Sequence, residues 1–214
     1  MNRDWRAWHD DYDDPASSLS RRLEVVRAQL AAVLAQATGP VRLLSLCAGD
    51  GRDTLPVLAA SSVPVSGVLV ELDPALADAA RASATSLGLD DVEVRTGDAG
   101  TTSCCAGAVP ADVLMACGIF GNVTDTDVAR TVATLPSLLA FGAHVIWTRG
   151  CRLPQDPTRA AGDPSEMVRR LFVDTGFAEV AFVRPDDATY RVGLHRWPGP
   201  DVPYRSGVRM FDFV

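Results

Sequence analysis

Short apolar runs that read as buried strands alternate with segments of helical periodicity along most of the chain. The predicted strands are 41–47, 65–72, 92–96, 111–117 and 143–149, and the predicted helices are 16–37, 52–60, 73–87, 124–135 and a segment from Asp163 to about Phe177. Strands that alternate with helices are typical of a parallel sheet that is covered by helices on both faces. The pattern therefore predicts an α/β fold.

The last two apolar runs, 178–184 and 190–196, are joined by the turn-rich sequence PDDAT. This connection is too short for a helical crossover, so the two strands must be antiparallel neighbours. We expect a doubly wound, mostly parallel, seven-stranded sheet of Rossmann-like type with an antiparallel hairpin at its end. A length of 214 residues suits a single domain, 1–214, in which residues 1–37 form an arm and a first helix.

Composition narrows the classes of partner and chemistry. The formal net charge of −7 disfavours nucleic acid, because phosphate binding needs a basic surface. No apolar run is long enough for a membrane span, and the acidic start of the chain is unlike a secretory signal, so we expect a cytoplasmic protein. The basic residues are all arginine, which excludes lysine Schiff-base chemistry, and the cysteines form no CxxC pair, so no metal site is expected.

The first strand runs into the turn SLCAGDGRD, residues 45–53. Glycines lack a side chain, so a ligand can press against the backbone at Gly49 and Gly51. The helix that follows offers unpaired N–H groups. In open α/β sheets, ligands bind at the carboxyl ends of the strands, which is where this turn lies.

The next two strands each end in a carboxylate. Glu71 ends the second strand, where an acidic side chain can accept hydrogen bonds from ribose hydroxyls. Asp98 follows the third strand and is placed to accept from an adenine amino group. The alternative is that Glu71 and Asp98 serve only as a helix cap and a turn former. The ordered set of turn, Glu71 and Asp98 predicts a ligand that contains adenosine.

With these motifs, residues 41–196 resemble the class I S-adenosylmethionine-dependent methyltransferases of small-molecule type. LSLCAGDG is similar to their first motif, VELDP to their ribose-binding motif, TGDA to their adenine-contacting motif, and ADVLMACGIFGN to their fourth strand and its loop. The resemblance implies S-adenosyl-L-methionine as cofactor. It assigns cofactor binding to Cys47, Ala48, Gly49, Gly51, Glu71, Leu72, Asp98, Ala99, Cys117 and Gly118.

Two positions depart from the family pattern. Ser45 stands where the family usually has an acidic residue, which helps to hold the methionine amine, and Cys47 stands where it usually has glycine. Backbone carbonyls of Cys47 and Cys117 are the substitutes that we expect for this contact.

The start of the chain resembles the entry of small-molecule methyltransferases, in which a tyrosine and an arginine of the first helix reach the cofactor carboxylate. Tyr12 and Arg21 are the matching residues, and Arg22 is the alternative. An amphipathic helix with a solvated basic face is the competing interpretation. We predict that residues 1–14 form a lid over the cofactor; packing on a sheet edge or in a homodimer is the alternative.

The sequence says less about the residues that would contact the methyl acceptor. His144 and His195 lie at strand ends that point away from the predicted site, so His9 is the candidate general base, with Asp10 or Asp11 as the alternative. The loop CGIFGN lacks the Asn/Asp-Pro-Pro-aromatic sequence of enzymes that methylate nucleobases or glutamine. Phe120 and Asn122 are expected to face the acceptor, and Arg149 is expected to bind an anionic group of it, with a surface ion pair as the alternative for Arg149.

The expected function is methyl transfer to a small molecule, with no nucleic acid or membrane partner. An NAD-dependent oxidoreductase is the first alternative, but its fingerprint needs a small third residue where Thr54 stands. A non-catalytic nucleoside-binding protein is the second alternative.

Overall fold

The structure is a computed structural model that describes residues 12, 14–151 and 163–214. Its helices are α1 (Ser18–Ala35), α2 (Leu55–Ala59), α3 (Pro74–Ser86), α4 (Asp125–Thr134) and α5 (Ser165–Thr175), with 3₁₀ turns at Thr102–Cys105 and Leu135–Leu138. Its strands are β1 (Val41–Leu46), β2 (Val65–Glu71), β3 (Val92–Thr96), β4 (Ala111–Ala116), β5 (Leu139–Gly150), β6 (Ala178–Val183) and β7 (Tyr190–Arg196).

The strands form a single seven-stranded sheet in the order β3-β2-β1-β4-β5-β7-β6. Strands β1 to β5 pair in parallel, whereas β7 runs antiparallel to both β5 and β6. The predicted fold class is therefore confirmed, including the closing hairpin. The chain reverses direction across the sheet between β3 and β4, so β1 and β4 lie on either side of the switch point where α/β folds bind ligands.

Helices cover both faces of the sheet. On one face, α1, α2 and α3 pack residues such as Leu30, Leu55 and Ala77 against the sheet, and all three of these side chains are fully buried. On the other face, α4 and α5 contribute Val132 and Phe172 to the larger of the two apolar clusters. Two buried faces explain why the central strands are apolar at nearly every position.

Local signals set most helix ends. The Asp73 side chain accepts hydrogen bonds from the N–H groups of Ala75 and Leu76, with Pro74 at the first helical position. Helix α5 ends at Gly176, which has a φ of 103°. Helix α2 is shorter than predicted, because turns occupy residues 51–54 before Leu55. Strand β5 begins four residues earlier than predicted, at Leu139.

Among the described residues, no helix has both the length and the apolar character that a bilayer span requires.

Candidate cofactor site

A cavity of about 360 Å³ opens at the carboxyl ends of β1 to β4. This volume falls within the range of small-molecule sites. Its lining residues are Tyr12, Arg22, Cys47, Ala48, Gly49, Asp50, Arg52, Asp53, Glu71, Leu72, Asp73, Leu76, Asp98, Ala99, Cys117, Gly118 and Phe213. Most cofactor-binding residues that the sequence predicted thus lie around one cavity. Gly51 belongs to the same turn but is buried and does not line the cavity, and Arg21 lies elsewhere.

The glycine turn forms the floor of the cavity. Cys47, Gly49 and Gly51 have φ angles of 55°, 58° and 74°, which lie in the left-handed region. A Cβ atom at Gly51 would lie 2.6 Å from Leu55 Cδ1, so glycine is needed there for close packing as well as for its backbone angle. Cys47 holds such an angle without being glycine. At Gly49 the tight turn therefore brings backbone rather than a side chain to the cavity.

Glu71 joins the turn to the end of β2. Its carboxylate accepts hydrogen bonds from the backbone N–H groups of Gly49, at 2.8 Å, and Asp73, at 2.9 Å. A carboxylate has about four lone-pair sites, so two remain for a ligand. Glu71 therefore both organises the cavity wall and keeps accepting capacity for hydroxyl groups.

Asp98 lies on the far side of the cavity, after β3. One carboxylate oxygen accepts from the N–H of Gly100 at 2.7 Å, and the other pairs with the guanidinium of Arg209 at 2.7 Å. These two contacts fix the orientation of a carboxylate that is still about half exposed. It can accept one more hydrogen bond from a ligand in the cavity.

Two arginines and a tyrosine line the opposite end. Arg22 donates to the Tyr12 hydroxyl at 2.7 Å, and the guanidinium of Arg52 lies 4.4 Å from the centre of the Tyr12 ring. Burial raises the pKa of Tyr12, so the phenol keeps its proton at neutral pH. This end of the cavity is suited to a ligand carboxylate.

Asp53 lies among these groups and lines the same end. Its carboxylate accepts from the Thr54 hydroxyl at 2.9 Å. Burial raises the pKa of Asp53, against the lowering effects of Thr54 and Arg22. A ligand ammonium group would stabilise the ionised form of this carboxylate.

The sequence assigned the arginine position to Arg21, but the structure brings Arg22 to the cavity. Arg21 lies one residue away on α1 and forms an ion pair with Asp187 at 2.9 Å on the surface. Neighbours on a helix point about 100° apart, so only one of the two can face the cavity. The placement of Arg21 in the site is corrected to Arg22, which the sequence offered as the alternative.

The predicted acceptor residues do not line this cavity. Phe120 is fully buried in the aromatic core, with its ring centre 6.1 Å from Trp147, so its predicted exposure to an acceptor is corrected. Asn122 donates to the carbonyl of Gly118 at 2.7 Å and thereby shapes the loop after β4.

Arg149 pairs with Asp125 at 3.2 Å, while its other terminal nitrogen, Nη1, is buried without a hydrogen-bond partner. It lies at the end of β5, as predicted. The structure places His144 and His195 toward the opposite edge of the sheet, as strand direction predicts. His9 lies outside the described residues.

Sequence reasoning missed Asp50, Arg52, Asp53, Asp73, Leu76 and Phe213 as lining residues. The turn at residues 45–53 contains three of them, Asp50, Arg52 and Asp53, so their proximity to the site could have been inferred. Phe213 lies far beyond the last predicted strand, and nothing in the sequence pattern indicates its position.

Solved structures with the same architecture include magnesium protoporphyrin IX methyltransferase from Synechocystis PCC 6803 with bound SAH, at a TM-score of 0.67 and 13% identity over 90% of this chain and 93% of that chain. An O-methyltransferase family protein from Burkholderia thailandensis matches at a TM-score of 0.66 and 18% identity, over 83% of this chain and 55% of that chain. This chain has the class I methyltransferase fold. No family model matches it, and no curated protein is significantly similar in sequence.

The class I methyltransferase fold does not by itself fix the reaction. The [4+2]-cyclase SpnF also matches, at a TM-score of 0.57 and 17% identity, over 79% of this chain and 81% of that chain. At identities this low, the likeness concerns the fold, and the chemistry has to be argued from the site.

Proposed function

We propose that this chain binds S-adenosylmethionine in the cavity and transfers its methyl group to a small molecule. The observation that carries the proposal is the convergence of the Gly49 turn, Glu71 and Asp98 on one cavity. These groups follow three different strands, and each suits one kind of contact with an adenosine ligand. The backbone at Gly49 allows close approach, Glu71 can accept from the ribose hydroxyls, and Asp98 can accept from the adenine amino group. A helix cap and a turn former would not need to face a common space.

The other end of the cavity fits the methionine part of the cofactor. Arg22 and Tyr12 would hold its carboxylate, which is the role that the resemblance gave to Tyr12 and an arginine of the first helix. Ser45 is buried within β1 and has no carboxylate to offer. We assign the ammonium contact to Asp53, with the carbonyls of Cys47 and Cys117 as further acceptors.

The fit of the cofactor is also supported by the loop after β4. Gly118 has a φ of 78°, and a Cβ atom there would have no other atom within 4 Å. Its N–H donates to the Thr148 hydroxyl at 2.9 Å, which holds the loop in place. The glycine thus leaves open space beside the cavity, where an acceptor would have to approach.

The cofactor supplies an activated methyl group, so this chain needs mainly to orient the two reactants and exclude water. Glu71, Asp98 and Arg22 would fix the two ends of the cofactor and so direct its sulfur toward the open side at Gly118. His9 would act as the base for a hydroxyl acceptor, and Arg149 would contact an anionic one. The negative net charge supports a small acceptor over nucleic acid.

We retain the proposal that residues 1–14 act as a lid on one domain of 1–214. Residues 1–11 and 13 lie outside the described residues, but Tyr12 lines the cavity and its carbonyl accepts from the Ser20 hydroxyl at 2.8 Å. Hydrogen exchange tests this: residues 1–14 should gain protection when S-adenosylhomocysteine binds. Equal exchange with and without ligand contradicts a lid.

Calorimetry with S-adenosylhomocysteine and NAD in parallel tests the binding proposal. We expect micromolar binding of the first ligand and no heat with the second. Thr54, which is buried at the start of α2, supports stronger binding of S-adenosylhomocysteine than of NAD. The fingerprint of NAD-dependent oxidoreductases needs a small residue at this position. Heat with NAD alone, or none with either ligand at millimolar concentration, contradicts the proposal. Methyl transfer from a labelled cofactor to a panel of small molecules then separates an enzyme from a nucleoside-binding protein.

A further inference from the structure

The segment 208–214, here called the strap, crosses the carboxyl edge of the sheet beside the cavity. At its start, the N–H of Met210 donates to the carbonyl of Gly100 at 2.7 Å, and Arg209 forms a β-bridge with Thr101. At its end, Phe213 forms a bridge with Val123. The strap therefore connects the loop after β3 with the loop after β4.

Buried side chains hold the strap to the body of the protein. Met210 and Phe211 are almost completely buried, and the carbonyl of Met210 accepts from the side chains of Arg130, at 3.0 Å, and Thr131, at 3.1 Å. Fixing both ends and the middle in this way makes the strap part of the scaffold. Phe213, two residues after this anchor, is thus presented in a defined position.

Phe213 is the strap residue that lines the cavity, and its side chain keeps 42% of its surface exposed. Its ring is backed by Phe211, with ring centres 5.5 Å apart in an edge-to-face arrangement. Leu72, after β2, also lines the cavity and is 60% exposed. Large apolar side chains that stay exposed on one cavity indicate a ligand that covers them.

Asp98 connects the apolar side chains of Phe213 and Leu72 with the predicted nucleoside contact. It lies on the same cavity, and its partner Arg209 belongs to the strap, so the carboxylate and Phe213 are positioned by one segment. A flat, apolar side chain and a hydrogen-bond acceptor that line one cavity match a purine that carries an exocyclic amino group.

We propose that the strap is part of the nucleoside site: Phe213 stacks on one face of the adenine, Leu72 covers the other, and Arg209 holds Asp98 in place for the amino group. This inference rests on the proposed function, because it takes the ligand to be S-adenosylmethionine. The strap lies outside residues 41–196, which carry the resemblance to methyltransferases. With the strap included, the elements that determine cofactor affinity extend to the segment 208–214.

The test compares Phe213→Ala with Phe141→Ala, measured by calorimetry with S-adenosylhomocysteine and with 5′-methylthioadenosine, which lacks the amino-acid part. Phe141 is the matched control: it is 67% exposed and lies in the early part of β5, away from the cavity. Base stacking on an aromatic side chain predicts a loss of roughly five- to a hundredfold in affinity for both ligands with Phe213→Ala. Phe141→Ala should bind both ligands as the unchanged protein does.

Phe213→Trp should retain affinity for both ligands and show a change in tryptophan fluorescence on binding, since a larger ring can still stack. Equal affinities of Phe213→Ala and Phe141→Ala overturn the inference, and so does a loss confined to S-adenosylhomocysteine, which would place Phe213 at the methionine end. Absence of binding to the unchanged protein contradicts the proposed function itself, which keeps the two failures distinct.

Discussion

The indole N–H of Trp147 donates a hydrogen bond to Nδ1 of His195 over 3.1 Å. Both rings are inaccessible to solvent, and Phe172 stacks against them with ring centres 5.8 Å and 4.5 Å away. Because Nδ1 accepts the hydrogen bond from the indole N–H, a neutral His195 must carry its own proton on Nε2. That nitrogen has no hydrogen-bond partner, and the nearest carboxylate oxygen, on Glu179, is 3.8 Å away.

This pair makes stability depend on pH. Burial lowers the pKa of His195 from 6.5 to about 4, although Glu179 opposes the shift. Between these values the unfolded chain binds a proton that the folded chain does not, so the free energy of unfolding decreases as pH falls from about 6.5 to about 4. A full shift of this size corresponds to on the order of 3 kcal/mol.

Urea unfolding from pH 4 to pH 8 measures the effect, and an NMR titration should place the His195 ring near 4. His195→Leu should flatten the pH dependence, while His144→Gln, on a partly exposed strand position, should leave most of it. An NMR midpoint near 6.5 for His195 would contradict the prediction.

Replacing Glu71 by alanine should weaken S-adenosylhomocysteine binding by about ten- to a hundredfold. The change removes charge-assisted hydrogen bonds to ribose, worth about 1.5–3 kcal/mol, and releases the N–H groups of Gly49 and Asp73. Glu71→Gln retains one carbonyl acceptor and should lose less. Calorimetry gives the affinities, and a folded Glu71→Ala variant of unchanged affinity would refute the ribose contact.

Arg21 and Arg22 form a matched pair on one helix. Arg22→Ala should reduce S-adenosylhomocysteine affinity about tenfold or more, because it removes one of the two cations that line this end of the cavity. Arg21→Ala should change affinity little, since Arg21 does not line the cavity and its pair with Asp187 is exposed on the surface. The difference should vanish with 5′-methylthioadenosine, which lacks the carboxylate. The reverse order of the two variants would restore the assignment of Arg21.

Asp53 should make ligand binding depend on pH. Burial raises its pKa, whereas a ligand ammonium favours its ionised form. At pH values near and below the raised pKa, binding therefore releases a proton, and affinity for S-adenosylhomocysteine should fall as pH is lowered through the raised pKa of Asp53. Asp53→Asn should bind more weakly at neutral pH and lose this dependence. A pH profile of affinity that is identical in the two proteins would exclude the ammonium contact.

The sequence predicts the sheet because the strands and their turns carry local signals. The Asp73-Pro74 cap, Gly176 and the short PDDAT connection each have one structural solution, and each is found there. The same holds for the cavity floor, since the glycine turn, Glu71 and Asp98 follow strands whose parallel order brings their ends together.

The site features that the sequence did not predict depend on the rotation of helix α1 about its axis and on packing between residues far apart in the chain. Whether Arg21 or Arg22 faces the cavity is set by how α1 rolls on the sheet, which a regular helical pattern leaves open by one residue. Phe120 was expected at the site because it follows β4, but its ring completes the core around Trp147. The position of Phe213 depends on contacts with loops about 90 to 110 residues earlier, for which no local signal exists.

Strand β7 lies between β5 and β6, and its Gly193 faces Trp147 so closely that a Cβ there would lie 2.2 Å from the indole. During synthesis, β5 is made about 40 residues before the strand that covers its edge. A ribosome-bound chain that ends before Tyr190 would therefore present β5 as an unpaired edge, with Trp147 lacking the backbone that normally covers it. The step that closes the sheet is the insertion of one of its last-made strands, so the order of translation makes β5 the segment most in need of protection while the chain emerges.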